Sequence, residues 1–220
     1  SPRPSLLGIP FDAASSFLRG AAAGPAAIRA ALHSPATNGW SESLRNVVDD
    51  RVLFDAGDVD LSTGDPRAAI DQRAQHLFAD GHRIVALGGD HSVTFPLVRA
   101  VSRSLGSAHF SVLHVDAHPD LYDELEGNRQ SHACPFARIM EEKLAQRLVQ
   151  VGIRTLNGHQ KEQARRFGVE IVPMSGLPAI ETIQGLIQPS FRRIAVGDPQ
   201  AVPAGVYAKQ YLQAANIPGI

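Results

Sequence analysis

The sequence has one cysteine and no long apolar run. Because Cys134 is alone among 220 residues, no disulfide forms within the chain, which fits a reducing compartment. No apolar stretch approaches the roughly 20 residues that a membrane-spanning helix needs. The first residues lack a basic region followed by an apolar run, so they do not resemble a secretory signal. We therefore expect a cytoplasmic protein with no membrane partner.

The chain also lacks an excess of charge of either sign. It has 21 basic and 22 acidic side chains and a formal net charge of -1. The basic residues do not cluster, and aromatic residues, at 6% of the chain, do not interleave with them. This balance gives no field that would attract a polyanion, so no nucleic-acid partner is expected. A length of 220 residues suits one α/β domain with a single core, over residues 1–220.

Short runs rich in Val, Ile and Leu alternate with segments of helical periodicity. The predicted strands are Ser5–Ile9, Arg51–Ala56, Arg83–Leu87, Phe110–Val115, Leu148–Ile153, Val169–Pro173 and Arg193–Val196. The predicted helices are Pro25–His33, Arg67–Asp80, Thr94–Ser104, Pro135–Leu148, Gly158–Phe167, Pro178–Ile187 and Ala204–Ala214. The strands show little alternation of period two, which is typical of strands buried on both faces. This alternation predicts an α/β fold with a mostly parallel sheet.

Two polar motifs follow neighbouring predicted strands. GGDHS, with His91, follows one strand, and LHVDAHPD places Asp116, His118 and Asp120 after the next. Alternate side chains at a strand end share a face, so these three can converge on one point. Sites in such folds form at the carboxyl ends of strands. Oxygen and nitrogen ligands without thiolate suit a divalent ion such as manganese. The alternative is a polar turn after a buried strand.

Three residues near these motifs have more than one interpretation. Asp90 is expected to cap the following helix or to orient a ligand rather than to bind metal itself. His114 shares a face with Asp116 if the strand is regular, although a hydrogen-bonded core histidine is the favoured interpretation. Gly88 and Gly89 would allow a sharp turn and a close approach to the site.

GGDHS, VDAHPD and the later SHACPF resemble motifs of the ureohydrolase (arginase/agmatinase) family. The resemblance covers about residues 5–174, and the motif sequences are closer to those of the agmatinase branch. It implies an arginase-like, three-layer αβα fold, shortened or chimeric at the C-terminus. It also implies a binuclear Mn2+ centre and a homo-oligomer, either a trimer or a hexamer. The implied reaction is attack of a metal-activated hydroxide on the guanidinium carbon of a linear, agmatine-like compound, which releases urea.

The resemblance also implies a role for each motif residue. His91 and Asp120 would bind one ion, His118 the other, and Asp116 would bridge the two and take part in catalysis. His132, in SHACPF, matches a family histidine near the substrate, and a histidine suits proton transfer to the leaving amine. The alternative for His132 is a histidine in a surface loop.

The C-terminal segment, residues 175–220, departs from the family pattern. Family members carry a second motif, S-x-D-x-D-x-x-D-P, whose aspartates complete the metal shell. The nearest counterpart here is AVGDP, which offers only Asp198 as a metal ligand. Residues 194–212 instead resemble a segment of periplasmic molybdate-binding proteins. Two alternative functions follow: a metal-binding but catalytically impaired or chimeric protein, and an oxyanion-binding protein.

Overall fold

The computed structural model describes residues 3–105 and 110–176. Contacts within the chain divide it into two units, Ser1–Val172 and Pro173–Ile220, and the description below concerns the first. Asp198, the segment 194–212 and the predicted elements Arg193–Val196, Pro178–Ile187 and Ala204–Ala214 all lie outside the described residues. The prediction of one domain over residues 1–220 stays a prediction.

Strands and helices alternate along the first unit, as the sequence predicts. The strands are β1 (Arg3–Ile9), β2 (Phe54–Asp58), β3 (His82–Gly88), β4 (Ser111–Val115), β5 (Arg147–Ile153) and β6 (Glu170–Pro173). The helices are α1 (Gly24–Leu32), α2 (Pro66–Ala79), α3 (Thr94–Leu105), α4 (Pro135–Glu141) and α5 (Gly158–Phe167). Helices connect parallel strands, which confirms the predicted α/β class. None of the helices described is long and apolar enough to cross a membrane.

Helix α4 is shorter than the predicted helix Pro135–Leu148, so that prediction is wrong for its second half. The helix ends at Glu141, and Lys143 adopts a left-handed conformation with φ 53°. A left-handed residue cannot continue a right-handed helix. The chain turns there and enters β5 at Arg147, because the apolar run that follows belongs to a strand.

The strands form two three-stranded sheets, with orders β2-β1-β3 and β4-β5-β6. In the first sheet β1 pairs in parallel with both β2 and β3. In the second sheet β4 and β5 are parallel, and His114 of β4 lies opposite Gln150 of β5. Within the described residues, β3 and β4 are outer strands of their sheets. Val85, Leu113 and Val115 on these strands are exposed, contrary to the expected burial on both faces.

Each sheet has its own apolar core. Around β1 the core contains Leu7, Ile9, Ile70 and Leu77, and around β5 it is built from residues such as Leu148. Burying one such side chain stabilises the fold by about 1.5–3 kcal/mol. The two cores pack against the sheets that contain β3 and β4. Both polar motifs begin at the carboxyl ends of these two strands.

Candidate metal centre and active site

A cleft of about 410 Å³ opens beyond the carboxyl ends of β3 and β4. It brings together five of the six residues that the sequence nominated for the site: His91, Asp116, His118, Asp120 and His132. The sixth, Asp198, lies outside the described residues. The sequence did not nominate the other lining residues, which are Tyr122, Leu125, Ala133, Thr155 and Gln160.

The GGDHS turn is held against the loop after β1. Gly89 N donates to Ile9 O at 3.0 Å, and Asp90 N donates to Phe11 O at 2.8 Å. A Cβ at Gly89 would lie 1.8 Å from Phe11 O, so only glycine permits this approach. The Asp90 carboxylate caps the next turn by accepting from Ser92 N at 2.9 Å, which confirms the capping role predicted for it. The turn therefore fixes the backbone from which His91 projects.

The DAHPD turn folds its two carboxylates back toward the strand end. Asp116 Oδ1 accepts from His118 N at 2.8 Å. Asp120 adopts φ 45°, in the left-handed region that aspartate enters more readily than most residues. This conformation brings Asp120 Oδ2 within 2.5 Å of His91 Nδ1, so the two motifs meet directly.

The arrangement also recruits His114, for which the sequence favoured a core position. His114 is buried, as expected, but its Nε2 lies 3.5 Å from Asp116 Oδ2. One donor atom from each of His91, His114 and Asp116 lies within 4.8 Å of the others. His114 and Asp116 are two residues apart, so on a regular strand their side chains share a face. This spacing could have predicted that His114 lies at the site.

Burial and charge act against each other at these groups. Burial lowers the pKa of His91, but the hydrogen bond and negative charge of Asp120 outweigh it, so its pKa is raised. Burial would raise the pKa of Asp116, yet backbone N–H donors and neighbouring histidines lower it. Burial and the nearby His91 together lower the pKa of His114. The site therefore favours an ionised Asp116, a readily protonated His91 and a neutral His114.

His132 lies on the wall of the same cleft rather than on an unrelated loop. Its Nδ1 is 3.0 Å from Ala14 O. A carbonyl oxygen only accepts hydrogen bonds, so Nδ1 carries a proton and Nε2 holds the lone pair of the neutral ring. His132 can therefore accept or donate a proton at Nε2.

The donor chemistry fits a divalent ion of the manganese type. The cleft offers imidazole nitrogens and carboxylate oxygens, and Cys134 does not line it. His114 Nε2 is buried and has no hydrogen-bond partner, as expected for a group that borders a polar site. Of the residues that the structure describes around the cleft, two carry carboxylates, Asp116 and Asp120.

Comparisons with known proteins place these features in one family. The model of the Arginase family matches residues 3–196. The mitochondrial arginase of Medicago truncatula is 43% identical over 193 residues, which cover 82% of this chain and 57% of that protein. The N(1)-aminopropylagmatine ureohydrolase of Thermus thermophilus is 40% identical, covering 84% of this chain and 64% of that protein.

A solved structure gives the same relationship. The arginase from Medicago truncatula superposes with a TM-score of 0.72, covering 79% of this chain and 57% of that chain. The chain thus spans just over half the length of this relative. The match supports the three-layer α/β arrangement of the described residues.

Proposed function

This chain belongs to the arginase family, and from that membership we propose that it hydrolyses a guanidino C–N bond and releases urea. The observation that carries the proposal is the convergence of His91, Asp116, His118 and Asp120 with His132 on one cleft. The family match adds the reaction class to this geometry. Because the chain spans 57% of its Medicago relative, the activity of the whole relative is a proposal here.

We propose that His91, Asp116, His118 and Asp120 hold manganese. When bound, the ion would supply Lewis-acid activation of water and of the guanidino group. His91 Nδ1 and Asp120 Oδ2 lie 2.5 Å apart, so both atoms could bind one cation, and a proton shared between them would have to leave on binding. The Asp116 carboxylate is already oriented by His118 N.

His132 would move the proton that completes the reaction. Its Nδ1–H is held by Ala14 O, which leaves Nε2 for the cleft. Nε2 would first take up a proton released by the attacking water and then deliver it to the amine that departs when the C–N bond breaks. Fixing Nδ1 in this way keeps the ring in one tautomer through the turnover.

The substrate is proposed to be a linear guanidino compound of the agmatine type. None of the described residues that line the cleft is a lysine or arginine, the side chains that would pair with the α-carboxylate of L-arginine. The names of the relatives do not distinguish L-arginine from agmatine as the substrate. The Medicago protein is an arginase, and the Thermus protein is named for an agmatine derivative. L-Arginine is therefore the substrate to compare with agmatine.

A second candidate function is metal binding without turnover. Asp116 and Asp120 are the two carboxylates on the described wall of the cleft, and they compensate two of the four charges of a binuclear centre. A poorly compensated second ion would be held weakly and would activate water less well. This observation favours an impaired relative of the ureohydrolases over the oxyanion-binding alternative, whose segment lies outside the described residues.

Urea release separates these candidates. The full chain is reconstituted with manganese and assayed with agmatine and with L-arginine, beside His132→Asn. Urea from agmatine at a higher kcat/KM than from arginine, lost in the variant, supports the proposal. Bound manganese without urea from either compound supports the second candidate. Light scattering on the same sample tests the proposed trimer or hexamer.

A further inference from the structure

A buried glutamine stands behind the candidate metal centre. Gln150 lies on β5 opposite His114 of β4 in the parallel register, and its side chain is fully buried. Its Nε2 is 3.1 Å from His114 Nδ1 and 2.6 Å from Pro119 O. Gln150 therefore touches both the strand that precedes the DAHPD turn and the turn itself.

The contact with Pro119 fixes the orientation of the Gln150 amide. A backbone carbonyl oxygen accepts hydrogen bonds and cannot donate them, so the atom 2.6 Å from Pro119 O must be a nitrogen. Rotating the amide by half a turn would place two oxygens at that distance. Gln150 Oε1 has no hydrogen-bond partner in the present orientation. The repulsion between the two oxygens would exceed the free energy gained by giving Oε1 a partner.

This orientation also fixes the tautomer of His114. One Gln150 N–H is used by Pro119 O, and the other points toward His114 Nδ1 at 3.1 Å. His114 Nδ1 must then be the acceptor, and in the neutral ring the proton sits on Nε2. A second proton on Nδ1 would face the Gln150 N–H, so this contact favours the ring with a single proton.

The proton on Nε2 faces a candidate metal ligand. His114 Nε2 lies 3.5 Å from Asp116 Oδ2 and has no hydrogen-bond partner. The other oxygen, Asp116 Oδ1, already accepts from His118 N. At 3.5 Å the two atoms lie just beyond the usual hydrogen-bond distance, so a small movement of the carboxylate would complete the bond.

We propose that Gln150 holds His114 in the Nε2–H tautomer, so that His114 donates to Asp116 and does not itself bind the ion. Gln150 and His114 are positioning residues that act through Asp116, and this role rests on the proposed function of the site. Although one donor atom from each of His91, His114 and Asp116 lies within 4.8 Å of the others, the assignment removes His114 from the ligand set. Partners that orient metal-binding groups change metal affinity by about 10- to 100-fold when they are removed.

Replacing Gln150 with glutamate should move the proton of His114 from Nε2 to Nδ1, with almost no change in side-chain volume. An ionised carboxylate only accepts hydrogen bonds, so it repels Pro119 O and draws a proton to His114 Nδ1. The lone pair of His114 Nε2 would then face Asp116. Gln163→Glu is the matched control, because Gln163 is also buried but pairs with Arg166 on α5 and has no contact with His114.

The first test is the tautomer of His114 in the metal-free full chain. Histidine is labelled with 15N, and the His114 signals are identified by their absence from His114→Phe. The proposal expects a protonated Nε2 and an unprotonated Nδ1 in the wild type, and a proton on Nδ1 in Gln150→Glu. A wild-type His114 protonated on Nδ1 overturns the proposal. This outcome is measured on the wild type, so it does not depend on the folding of any Gln150 variant.

The second test is manganese affinity measured by titration calorimetry. The proposal expects Gln150→Glu to bind about 10-fold more weakly than wild type and Gln163→Glu to bind as wild type does. Equal affinity in all three folded proteins overturns it. If the wild type binds no manganese, the proposed function fails, while the tautomer result still decides whether Gln150 controls His114.

Discussion

Replacing Gly89 with alanine should disrupt both the fold and the metal site. The added Cβ would lie 1.8 Å from Phe11 O and 2.6 Å from Phe11 C, both backbone atoms that cannot rotate away. The two segments must separate by about 1.2 Å to reach the shortest approach that real Cβ atoms show, which is 3.0 Å. That movement disrupts the hydrogen bonds from Gly89 N to Ile9 O and from Asp90 N to Phe11 O.

The expected loss follows from these two effects. Overpacking of this kind costs about 1–3 kcal/mol, and each disrupted backbone hydrogen bond adds about 1 kcal/mol. With two such bonds, we expect Gly89→Ala to lower the free energy of unfolding by roughly 3–5 kcal/mol. His91 projects from the same turn, so manganese affinity should fall as well.

Gly88→Ala is the matched control for this substitution. Its Cβ would meet Val93 Cγ2 at 3.4 Å, an ordinary contact. The free energy of unfolding of this control should change by less than about 0.5 kcal/mol. Urea unfolding measures stability, and calorimetry measures manganese affinity. If Gly89→Ala matches Gly88→Ala in both, then the close approach of the GGDHS turn to Phe11 does not hold the site.

Three further substitutions or reactions test separate parts of the molecule. His132→Asn should lower kcat about 100-fold or more with unchanged manganese affinity, since it removes the proton donor alone; an unchanged kcat in steady-state assays would refute that role. Asp71→Ala should destabilise the chain by about 3 kcal/mol, because it leaves Arg99 without its buried partner 3.0 Å away. Asp49→Ala, which breaks an exposed ion pair, should leave the melting temperature nearly unchanged, and equal melting temperatures of the two variants would contradict this. Cys134 is buried, and burial raises its pKa to about 11, so Ellman's reagent at pH 8 should label it only after unfolding; rapid labelling of the native chain would be inconsistent with this structure.

Local pattern was sufficient to predict the alternation of strands and helices and four of the cleft residues, whereas His132 was nominated by the family resemblance. GGDHS and DAHPD each follow a short apolar run, and parallel strands place their carboxyl ends at one edge. That geometry implied that His91 would lie near the DAHPD turn, and the family resemblance paired it with Asp120. His91 Nδ1 and Asp120 Oδ2 lie 2.5 Å apart. Helix α5 has the predicted bounds, Gly158–Phe167, and in the structure Asn157 caps its start and Gly168 ends it in the left-handed region.

What the sequence could not supply depends on contacts between distant segments. The pairing of His114 with Gln150 follows from the register of β4 against β5, which no local pattern encodes. The close approach of Gly89 to Phe11 likewise joins two separate loops. Helix α4 was predicted too long because its apolar periodicity runs into β5, and tertiary pairing of β5 decides that boundary.

The central claim is that the GGDHS and DAHPD turns build one metal site. It is tested most directly by the manganese content per chain after reconstitution and desalting, in the wild type, Asp116→Ala and His132→Asn. We predict at least one retained ion in the wild type and in His132→Asn, and loss of manganese from Asp116→Ala. Manganese absent from the wild type, or equally retained by Asp116→Ala, would contradict the account.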